Sequence, residues 1–460
     1  MTAPQNSPAP AIVWLRDDLR VADNPALVAA VERGGAVVVL YLLDEVSAGI
    51  RPLGSASRWW LHHSLESLAS AISTLGGQLV LRRGAAAEEL PRLVAELDAG
   101  AVFWNRRYGA SRDIDAALKL RLRADGVEVQ SFQASLLFEP WTVTTGDGNP
   151  YRVFTPFWRA CLSRGVARSP LSEPTAITAP RDTPAGDTLA DWALLPTRDW
   201  SVGLSEKWSP GEDAAHDALE HFATDILENY HRRDEPGVES TSGLSPYLRF
   251  GELSPLQVWH RLQAPLIPAA QKNAAHFLSE IGWREFNWNI LYFSPELHTK
   301  NYRPAFDAFP WRTDRERHLR AWKHGRTGIP LVDAGMRELR QSGVMHNRIR
   351  MVTASFLIKN LLIDWRVGEA WFWDTLVDAD EASNPANWQW VAGSGADAAP
   401  YFRVFNPLLQ AEKFDKQRRY VVRWVPEVDS SDYAKPIVDL KLSRQDALAA
   451  YDVMKAAEAR

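Results

Sequence analysis

Short apolar runs alternate with amphipathic stretches over residues 1–135, and this alternation restricts the fold more than any other feature of the sequence. The apolar runs cover 11–15, 36–43, 78–81, 101–104 and 127–131, and stretches with helical periodicity cover 25–33, 57–75, 86–98 and 111–124. Strands that alternate with helices at this spacing predict an α/β domain built on a doubly wound parallel sheet. Such a sheet can hold a ligand at the carboxyl ends of its strands. No G-x-G-x-x-G motif follows a strand and there is no Walker loop, so an ordinary dinucleotide or nucleoside triphosphate site is not expected.

The rest of the chain has a different character. Residues 164–205 are rich in Pro, Thr, Ser and Asp and weakly periodic, which predicts a long connection. Beyond it, helical patterns dominate, and predicted helices cover 211–229, 255–263, 273–293, 331–342, 346–363 and 367–377. We therefore predict an α/β domain over 1–135, an interdomain connection over 136–208 and an all-α domain over 209–460.

Composition limits the cellular setting and the partners. The single cysteine, Cys161, argues against a disulfide framework and fits a reducing cytoplasm. The polar N-terminus does not resemble a secretory signal, and the apolar run at 36–43 is too short to span a bilayer. We expect a cytoplasmic monomer without a membrane partner. Because the formal net charge is −5, a nucleic-acid partner would require a local basic patch. The 20 tryptophans are unusually many, and we expect most but not all of them to lie in the core.

The predicted helix that starts near His346 has an unusual face. Asn347, Arg350 and Met351 stand three and four residues apart, so they share one side of the helix. A solvated polar face that includes one methionine is the simpler explanation. The alternative is a face that binds a flat molecule that is redox-active or able to stack.

The predicted helix at 273–293 shows a related pattern: Phe277, Glu280, Trp283, Arg284 and Asn287 follow one another at helical spacing. The simpler explanation is an ion pair between Glu280 and Arg284, which contributes about 0.2–0.5 kcal/mol. The alternative is a carboxylate that hydrogen-bonds a base beside a tryptophan on which that base stacks, and such stacking contributes about 1–3 kcal/mol per base.

A third polar cluster follows the last predicted helix. Asp378 and Asp380 are two residues apart, and Asn384 precedes Pro385. A calcium loop is not expected, because the required glycine and bidentate glutamate are missing. Two acids near a basic helix instead favour an ion pair with Arg350 and a hydrogen bond to a ribose or a ring imide.

A small polar run at 241–245 precedes a proline and a predicted helix. Backbone N–H groups and hydroxyls in such a loop can cradle an anion. Alone the pattern is not specific, because many helix N-termini have it.

Six long motifs together carry a resemblance that covers essentially the whole chain. In order they are IVWLRDDLRVADNPAL, TSGLSPYLRFGELSP, SEIGWREF, TGIPLVDAGMREL, GVMHNRIRMVTASFL and NWQWVAGSGADAAPYFRVFNP. They resemble the photolyase/cryptochrome family, and within it the chain is similar to bacterial photolyases that repair cyclobutane pyrimidine dimers. The resemblance implies an α/β antenna domain followed by an all-α domain, in which bent FAD lies at the bottom of a cavity that faces ultraviolet-damaged DNA.

The resemblance also implies residue roles. Tyr230 and the run at 241–245 would hold the FAD phosphates, Arg350 would pair with Asp378 near the flavin ring, and Asn384 would lie beside flavin N5. The full cofactor-binding set that it implies is Tyr230, Thr241, Ser242, Gly243, Leu244, Ser245, Phe277, Glu280, Arg284, Asn347, Arg350, Asp378, Asp380 and Asn384.

On the DNA side, the family resemblance implies that Glu280 hydrogen-bonds the dimer, that Trp283 and Trp390 pack on it, and that Met351 lies close by. Arg233 and Arg348 would contact phosphates. The implied electron relay consists of Trp388, Trp365 and Trp311. These residues and Glu280 with Asn384 form the predicted catalytic set.

Three other functions are weighed against dimer repair. Relatives that repair the (6-4) photoproduct carry two adjacent histidines where this chain has His346 and Asn347, so the cyclobutane lesion is favoured. A cryptochrome photoreceptor would not need the dimer-facing set and is expected to have a long C-terminal tail. An electron-transfer flavoprotein without a DNA partner would not need Arg233 and Arg348.

A second chromophore is expected, and its identity stays open between methenyltetrahydrofolate and 8-hydroxy-deazaflavin, with an empty site as the third alternative. Folate-binding relatives often carry a glutamate after the tyrosine at Tyr108, where this chain has Gly109. We expect Arg58, Trp59 and Trp60 to border the antenna pocket.

Overall fold

The structure is a computed structural model that describes residues 8–264, 268–398 and 402–458. Residues 399–401, within the last of the six motifs, lie outside the described residues. Five parallel strands form one sheet in the order β3-β2-β1-β4-β5. The strands are β1 (Ala11–Leu15), β2 (Val37–Leu43), β3 (Leu79–Arg83), β4 (Ala101–Asn105) and β5 (Glu128–Phe132), and the helices between them are α1 (Pro25–Glu32), α2 (Ser55–Thr74), α3 (Ala86–Leu97) and α4 (Ser111–Ala124). The predicted α/β fold is thereby confirmed.

The central strands are apolar throughout because helices cover both faces of the sheet. Every residue of β1 and of β2 is buried. In β1, Val13 is in register with Val39 on one side and with Phe103 on the other.

The crevice at the carboxyl ends of β1 and β4, where the strand order reverses, is filled by the chain itself. The Asp18 carboxylate accepts hydrogen bonds from the Arg16 backbone N–H and from Asn105 Nδ2, both at 2.6 Å. Arg16 also pairs with Asp115 at 3.2 Å. Charged side chains thus satisfy one another at the point where doubly wound sheets commonly bind ligands.

The predicted connection is not uniform. It contains α5 (Phe154–Arg164) and α6 (Val202–Lys207), which the sequence pattern did not reveal. Between them the chain runs along the α/β domain: Ile177 N–H donates to the Leu75 carbonyl, and Asp187 N–H donates to the Leu81 carbonyl, both at 2.7 Å. The irregular segment is therefore fixed to the sheet domain by backbone hydrogen bonds.

The C-terminal region is helical, as predicted. Its α-helices are α7 (Glu212–His221), α8 (Ser245–Phe250), α9 (Pro255–Gln263), α10 (Pro268–Phe293), α11 (Glu316–Lys323), α12 (Pro330–Ser342), α13 (Asn347–Ser355), α14 (Trp365–Thr375), α15 (Ser383–Ala392), α16 (Pro407–Phe414), α17 (Arg419–Trp424) and α18 (Leu440–Glu458). Within the described residues, no helix is long and apolar enough to cross a membrane.

Two predicted helices differ from the observed ones. The stretch at 211–229 is divided into α7, a π-helical turn (Phe222–Ile226) and a 3-10 turn (Leu227–Arg232). The stretch at 346–363 is likewise divided into α13 and a π-helical turn (Phe356–Asn360), after which Leu362 adopts φ 54°. A spacing of apolar residues near 3.6 predicts a helix, but it does not show where an α-helix changes into a π-helical turn.

The tryptophan pair on α2 lies in the core. Trp60 is fully buried, stacks on Phe250 with ring centroids 6.0 Å apart, and donates from Nε1 to Glu252 at 3.0 Å. Trp59 is 3% exposed. Phe250 and Glu252 belong to the helical region, so α2 forms part of the contact between the two regions. The two indoles lie in the core, and the expectation that Arg58, Trp59 and Trp60 border an antenna pocket stays a prediction.

Glu252 provides a test of this contact. Burial raises the pKa of Glu252 to about 8, so the stabilisation that its protonated form contributes is present at acid pH and is lost as the pH rises toward 8. Glu252→Gln cannot titrate. We expect the unfolding free energy of the wild type to fall relative to that of the variant between pH 5.5 and 7.5, by up to about 1.4 kcal/mol per pH unit. Denaturant unfolding at the two pH values measures it, and a constant difference would contradict the role of Glu252.

Candidate active site

The carboxylate of Asp378 joins three separate segments. Its Oδ2 accepts hydrogen bonds from Ser245 Oγ at 2.6 Å and from Arg350 Nη2 at 2.8 Å. Ser245 begins α8, Arg350 lies on α13, and Asp378 follows α14. The predicted pair between Arg350 and Asp378 is therefore present, and Ser245 is its unforeseen third member.

The other oxygen of Asp378 has no partner within the described residues. Oδ1 is buried and unsatisfied, and the side chain is only 4% exposed. Buried acceptors are nearly always hydrogen-bonded, so this atom is suited to a donor of a bound ligand. Two residues before Ser245, Gly243 adopts φ 67° and has open space where a side chain would stand. Its backbone can therefore be approached closely.

Loop 241–245 presents mostly backbone to this site. Leu244 is fully buried in the core, which leaves only its main chain for a ligand. Its N–H bonds Ser242 Oγ at 3.3 Å. Thr241 and Ser245 are exposed. The arrangement fits the expected anion cradle, and the cofactor role of these residues stays a prediction.

Glu280 pairs with an arginine other than the one considered from the sequence. Its Oε1 lies 2.7 Å from Arg233 Nη1, and burial raises the pKa of Glu280 while Arg233 opposes the shift. Tyr230 and Phe277 lie beside this pair, with ring centroids 5.4 Å apart. The ion pair between Glu280 and Arg284 is not formed.

Arg284 is instead held by backbone carbonyls. It donates to the Ser135 carbonyl at 2.8 Å and to the Leu248 carbonyl at 3.4 Å. Asn287, which the helical spacing also placed on this face, is buried at 6% exposure. Sequence spacing alone cannot show that carbonyls from two other segments are closer to Arg284 than Glu280 is.

The two tryptophans expected to pack on a dimer are linked through residues that the sequence did not single out. Trp283 stacks on Phe154 with ring centroids 3.9 Å apart and planes 9° apart. Asp397 accepts from the Phe154 N–H through Oδ2 and from Trp390 Nε1 through its carbonyl. Trp283 and Trp390 are both partly exposed. We call Trp283, Phe154 and Trp390 the aromatic shelf.

Arg233 and Arg348, expected at DNA phosphates, are both paired with acids in this structure. Arg233 pairs with Glu280, as described, and Arg348 Nη2 lies 2.8 Å from Asp234 Oδ2. The Arg348 guanidinium also lies 4.5 Å from the Phe414 ring centroid. Met351 is close to Arg348, with Sδ 4.0 Å from Nη1.

His346 and Asn347 start α13. His346 Nδ1 accepts from the Arg348 N–H at 3.2 Å, while its buried Nε2 has no partner within the described residues. Burial lowers the pKa of His346 to about 4, so the ring is neutral at pH 7. Asn347 is exposed.

Asn384 and Asp380 take different parts in forming α15. Asp380 Oδ1 accepts from the Ala382 N–H at 2.8 Å and from the Ser383 N–H, so it stabilises the start of the helix. Asn384 Nδ2 donates to Oε1 and to the carbonyl of Glu369, at 2.8 and 3.1 Å. The contact with Glu369 was not predicted, because Glu369 lies on α14, fifteen residues before Asn384.

The three tryptophans predicted to form the relay share one hydrophobic cluster. Trp388 and Trp365 are buried in it, and Trp311 packs against its margin and is partly exposed. Trp388 lies against Gly368 of α14, the helix that Trp365 begins. Trp322, also in the cluster, is fully buried, and its ring centroid lies 6.3 Å from that of Trp388. Of the two indoles at 311 and 322, Trp311 is the one that reaches solvent.

A groove of about 440 Å³ lies beside α10 and adjoins the aromatic shelf, since the ring centroid of Trp158 is 6.5 Å from that of Phe154. Trp158 and Trp259 line it, with ring centroids 6.2 Å apart and planes 78° apart. Gln271 and Leu278 of α10 also line it. By helical geometry these two residues face away from Glu280 and Trp283.

Comparison with known proteins places this geometry in a family. Residues 11–176 match the family described as "DNA photolyase", and residues 277–432 match the family described as "FAD binding domain of DNA photolyase". The chain is 49% identical to the deoxyribodipyrimidine photo-lyase of Agrobacterium fabrum, over 97% of this chain and 98% of that protein. It is 38% identical to cryptochrome-1 of Arabidopsis thaliana, over 91% of this chain and 63% of that protein.

Solved structures agree. A bacterial class III photolyase from Agrobacterium tumefaciens superposes with a TM-score of 0.94 at 48% identity and 99% coverage of both chains. An archaeal photolyase from Sulfolobus tokodaii with two FAD molecules superposes with a TM-score of 0.83 at 26% identity, over 96% of this chain and 99% of that one. The chain therefore belongs to the photolyase/cryptochrome family.

Proposed function

We propose that this chain is a deoxyribodipyrimidine photolyase, a carbon–carbon lyase that uses light and reduced FAD to split cyclobutane pyrimidine dimers in DNA. The observation that carries the proposal is that two helices each contribute to both halves of the site. Helix α10 bears Phe277 for the flavin and Trp283 for the dimer, and α15 bears Asn384 and Trp390 in the same two roles. Residues suited to a flavin and residues suited to a stacked base are thus held on the same rigid supports.

The residues present fit FAD. The unsatisfied Asp378 Oδ1 requires a donor, and loop 241–245 offers backbone and hydroxyl groups to phosphates. We assign Tyr230, Arg350 and Asn384 to the same cofactor, together with the remaining cofactor set given above. Bound in its reduced form, FAD supplies the light-driven electron that opens the cyclobutane ring and accepts that electron back, so there is no net redox change.

The protein's own part is to place the lesion. Photolyases flip their target base out of the duplex, and a lesion that already disrupts stacking costs less to flip. The aromatic shelf provides faces on which the dimer can pack, with about 1–3 kcal/mol per stacked base. Glu280 stands one helical turn before Trp283, so its carboxyl is placed to hydrogen-bond a dimer that packs on the aromatic shelf, and burial raises its pKa while Arg233 opposes the shift.

Binding of DNA would rearrange the ion pairs on this surface. Arg233 and Arg348 are neutralised by Glu280 and Asp234 in this structure. When a dimer bonds Glu280, Arg233 is released to a phosphate, so lesion binding and phosphate binding are coupled. We propose this exchange as the reason that a chain with net charge −5 binds DNA only at this site.

Repair of the cyclobutane lesion is favoured over repair of the (6-4) photoproduct. The His346 ring is neutral, and Asn347 stands where (6-4) enzymes carry a second histidine. A cryptochrome role is the second candidate, supported by the 38% identity to cryptochrome-1. The aromatic shelf and Glu280 favour repair. We place the enzyme in the cytoplasm as a monomer that acts on ultraviolet-damaged DNA.

The groove between Trp158 and Trp259 is our proposed antenna site. Its volume of about 440 Å³ is in the range of small-molecule sites, and it is lined mainly by apolar and aromatic side chains. A chromophore in this groove would lie beside α10, the helix that also bears Phe277 of the proposed flavin site. The alternative site near Gly109 is obstructed, because the Glu381 carboxylate lies against that residue.

The repair proposal is tested with reduced holoprotein and an oligonucleotide that contains a dimer. Illumination should restore the thymines, and Glu280→Ala should weaken binding of dimer-containing DNA about 10- to 100-fold, as expected for a lost hydrogen bond to a charged or buried group. Glu220→Ala is the matched control, because Glu220 forms a similar pair with Arg261. A protein that takes up FAD yet restores no thymine under light would rule out repair.

The relay is tested by Trp365→Phe. Photoreduction of oxidised FAD should slow strongly, because phenylalanine is far harder to oxidise, whereas repair by protein that is already reduced should be largely spared. Transient absorption measures the first and the oligonucleotide assay the second. Trp104→Phe, at a buried tryptophan of β4 in the sheet domain, should change neither. Equal photoreduction in wild type and Trp365→Phe would remove Trp365 from the relay.

The antenna site is tested by Trp259→Ala. A second pigment that copurifies with the wild type should be lost, with its near-ultraviolet absorbance, while the FAD content stays the same. Trp141→Ala is the comparison, since Trp141 lies beside Tyr108 at the alternative site, with ring centroids 6.4 Å apart. Loss of the pigment in Trp141→Ala alone would place the antenna there instead.

A further inference from the structure

Arg51 reaches from the α/β domain to a buried acid of the helical domain. Its Nη1 lies 2.7 Å from Glu369 Oε1 and its Nη2 lies 3.0 Å from Oε2, which is a two-pronged ion pair. Glu369 is only 2% exposed. The guanidinium also lies 4.1 Å from the Trp373 ring centroid. Such a planar, doubly bonded arrangement cannot be reproduced by a lysine.

The loop that carries Arg51 is fixed in place. Pro52 accepts from Trp373 Nε1 at 2.9 Å, and Ser55 donates from N and Oγ to Asp374 Oδ1. At Gly54, an added Cβ would come within 2.1 Å of the Trp373 carbonyl, so only glycine permits this approach. The position of Arg51 is thus set by the docking of its loop on α14.

Glu369 in turn fixes the orientation of the Asn384 amide. Both hydrogen bonds of Asn384 Nδ2 go to Glu369, one to the carboxylate and one to the backbone carbonyl. A backbone carbonyl can only accept, so the NH₂ group and not the oxygen must face Glu369. Within the described residues, no donor bonds Asn384 Oδ1, which is left on the opposite side of the amide.

We propose that Arg51 is a positioning residue for the flavin: through Glu369 it keeps the Asn384 carbonyl oxygen directed at flavin N5. The inference rests on the proposed function, which places Asn384 beside N5. Reduced flavin has an N–H donor at N5, whereas oxidised flavin has an acceptor there. A carbonyl oxygen held at this position therefore favours the reduced flavin that repair requires.

Loss of Arg51 would disturb this arrangement for an electrostatic reason. A buried carboxylate without its countercharge is strongly disfavoured, so Glu369 would no longer hold a fixed place beside Asn384. The Asn384 amide is then held by the Glu369 backbone carbonyl alone, so part of the population can turn and present its NH₂ group to N5. An NH₂ group at N5 would favour the oxidised flavin.

The test is the reduction potential of FAD in the purified full-length protein. In Arg51→Met, we expect the ratio of reduced to oxidised flavin at a fixed potential to fall about tenfold, which is about 30 mV for a two-electron couple. Arg51→Lys keeps the charge without the double contact and should give an intermediate value. Arg112→Met is the control, since Arg112 also joins the two regions, by donating to the Tyr292 carbonyl, but does not touch Glu369.

The outcomes separate the inference from the proposed function. If wild type takes up no FAD, the proposed function fails. If FAD binds and dimers are repaired but Arg51→Met has the wild-type potential, only the inference fails. Should Arg51→Met not fold, Arg51→Lys and Glu369→Gln are compared instead. Both should lower the potential with melting temperatures near wild type, and unchanged potentials in both would overturn the inference.

Discussion

The arrangement of the site depends on the hydrogen bonds and the ion pair that the buried carboxylate of Asp378 forms. The carboxylate receives the Ser245 hydroxyl and the Arg350 guanidinium on one oxygen, and so brings together α8, α13 and the segment before α15. Removing one partner of a buried ion pair costs about 3–5 kcal/mol, because the remaining charge stays buried. The pair is therefore a strong constraint on how these segments meet, and the unsatisfied second oxygen leaves one position for the cofactor.

The contact between the α/β domain and the helical region stabilises the fold and also positions residues of the proposed flavin site. Trp60 packs on Phe250 and bonds Glu252, and the loop at residues 51–55 is fixed to α14. The same contact brings Arg51 to Glu369 and thereby to Asn384. The α/β domain thus contributes to the proposed flavin site through Arg51 and Glu369, whether or not it also binds a second chromophore.

The DNA-facing surface is neutralised in this structure. Arg233 and Arg348 each have an acidic partner, which reduces non-specific attraction of phosphates. Because Glu280 is both the partner of Arg233 and the proposed hydrogen-bond partner of the dimer, one residue would link recognition of the lesion to recognition of the DNA backbone. In this proposal the arginines become available to DNA phosphates only where a lesion displaces their acidic partners.

The sequence by itself determined the alternation of strands and helices in the α/β domain, most helices of the C-terminal region, and which residues are candidates for the site. Strand bounds are predicted within about two residues because parallel strands buried on both faces are continuous apolar runs. The pair of Arg350 and Asp378 is likewise foreseen from the motifs.

Tertiary structure decided which partner each polar side chain takes: Arg233 for Glu280, backbone carbonyls for Arg284, and Glu369 for Asn384. It also decided that Trp60 is core and that Phe154 stacks on Trp283. These contacts join residues far apart in the chain, and periodicity carries information only about neighbours within one helix or strand.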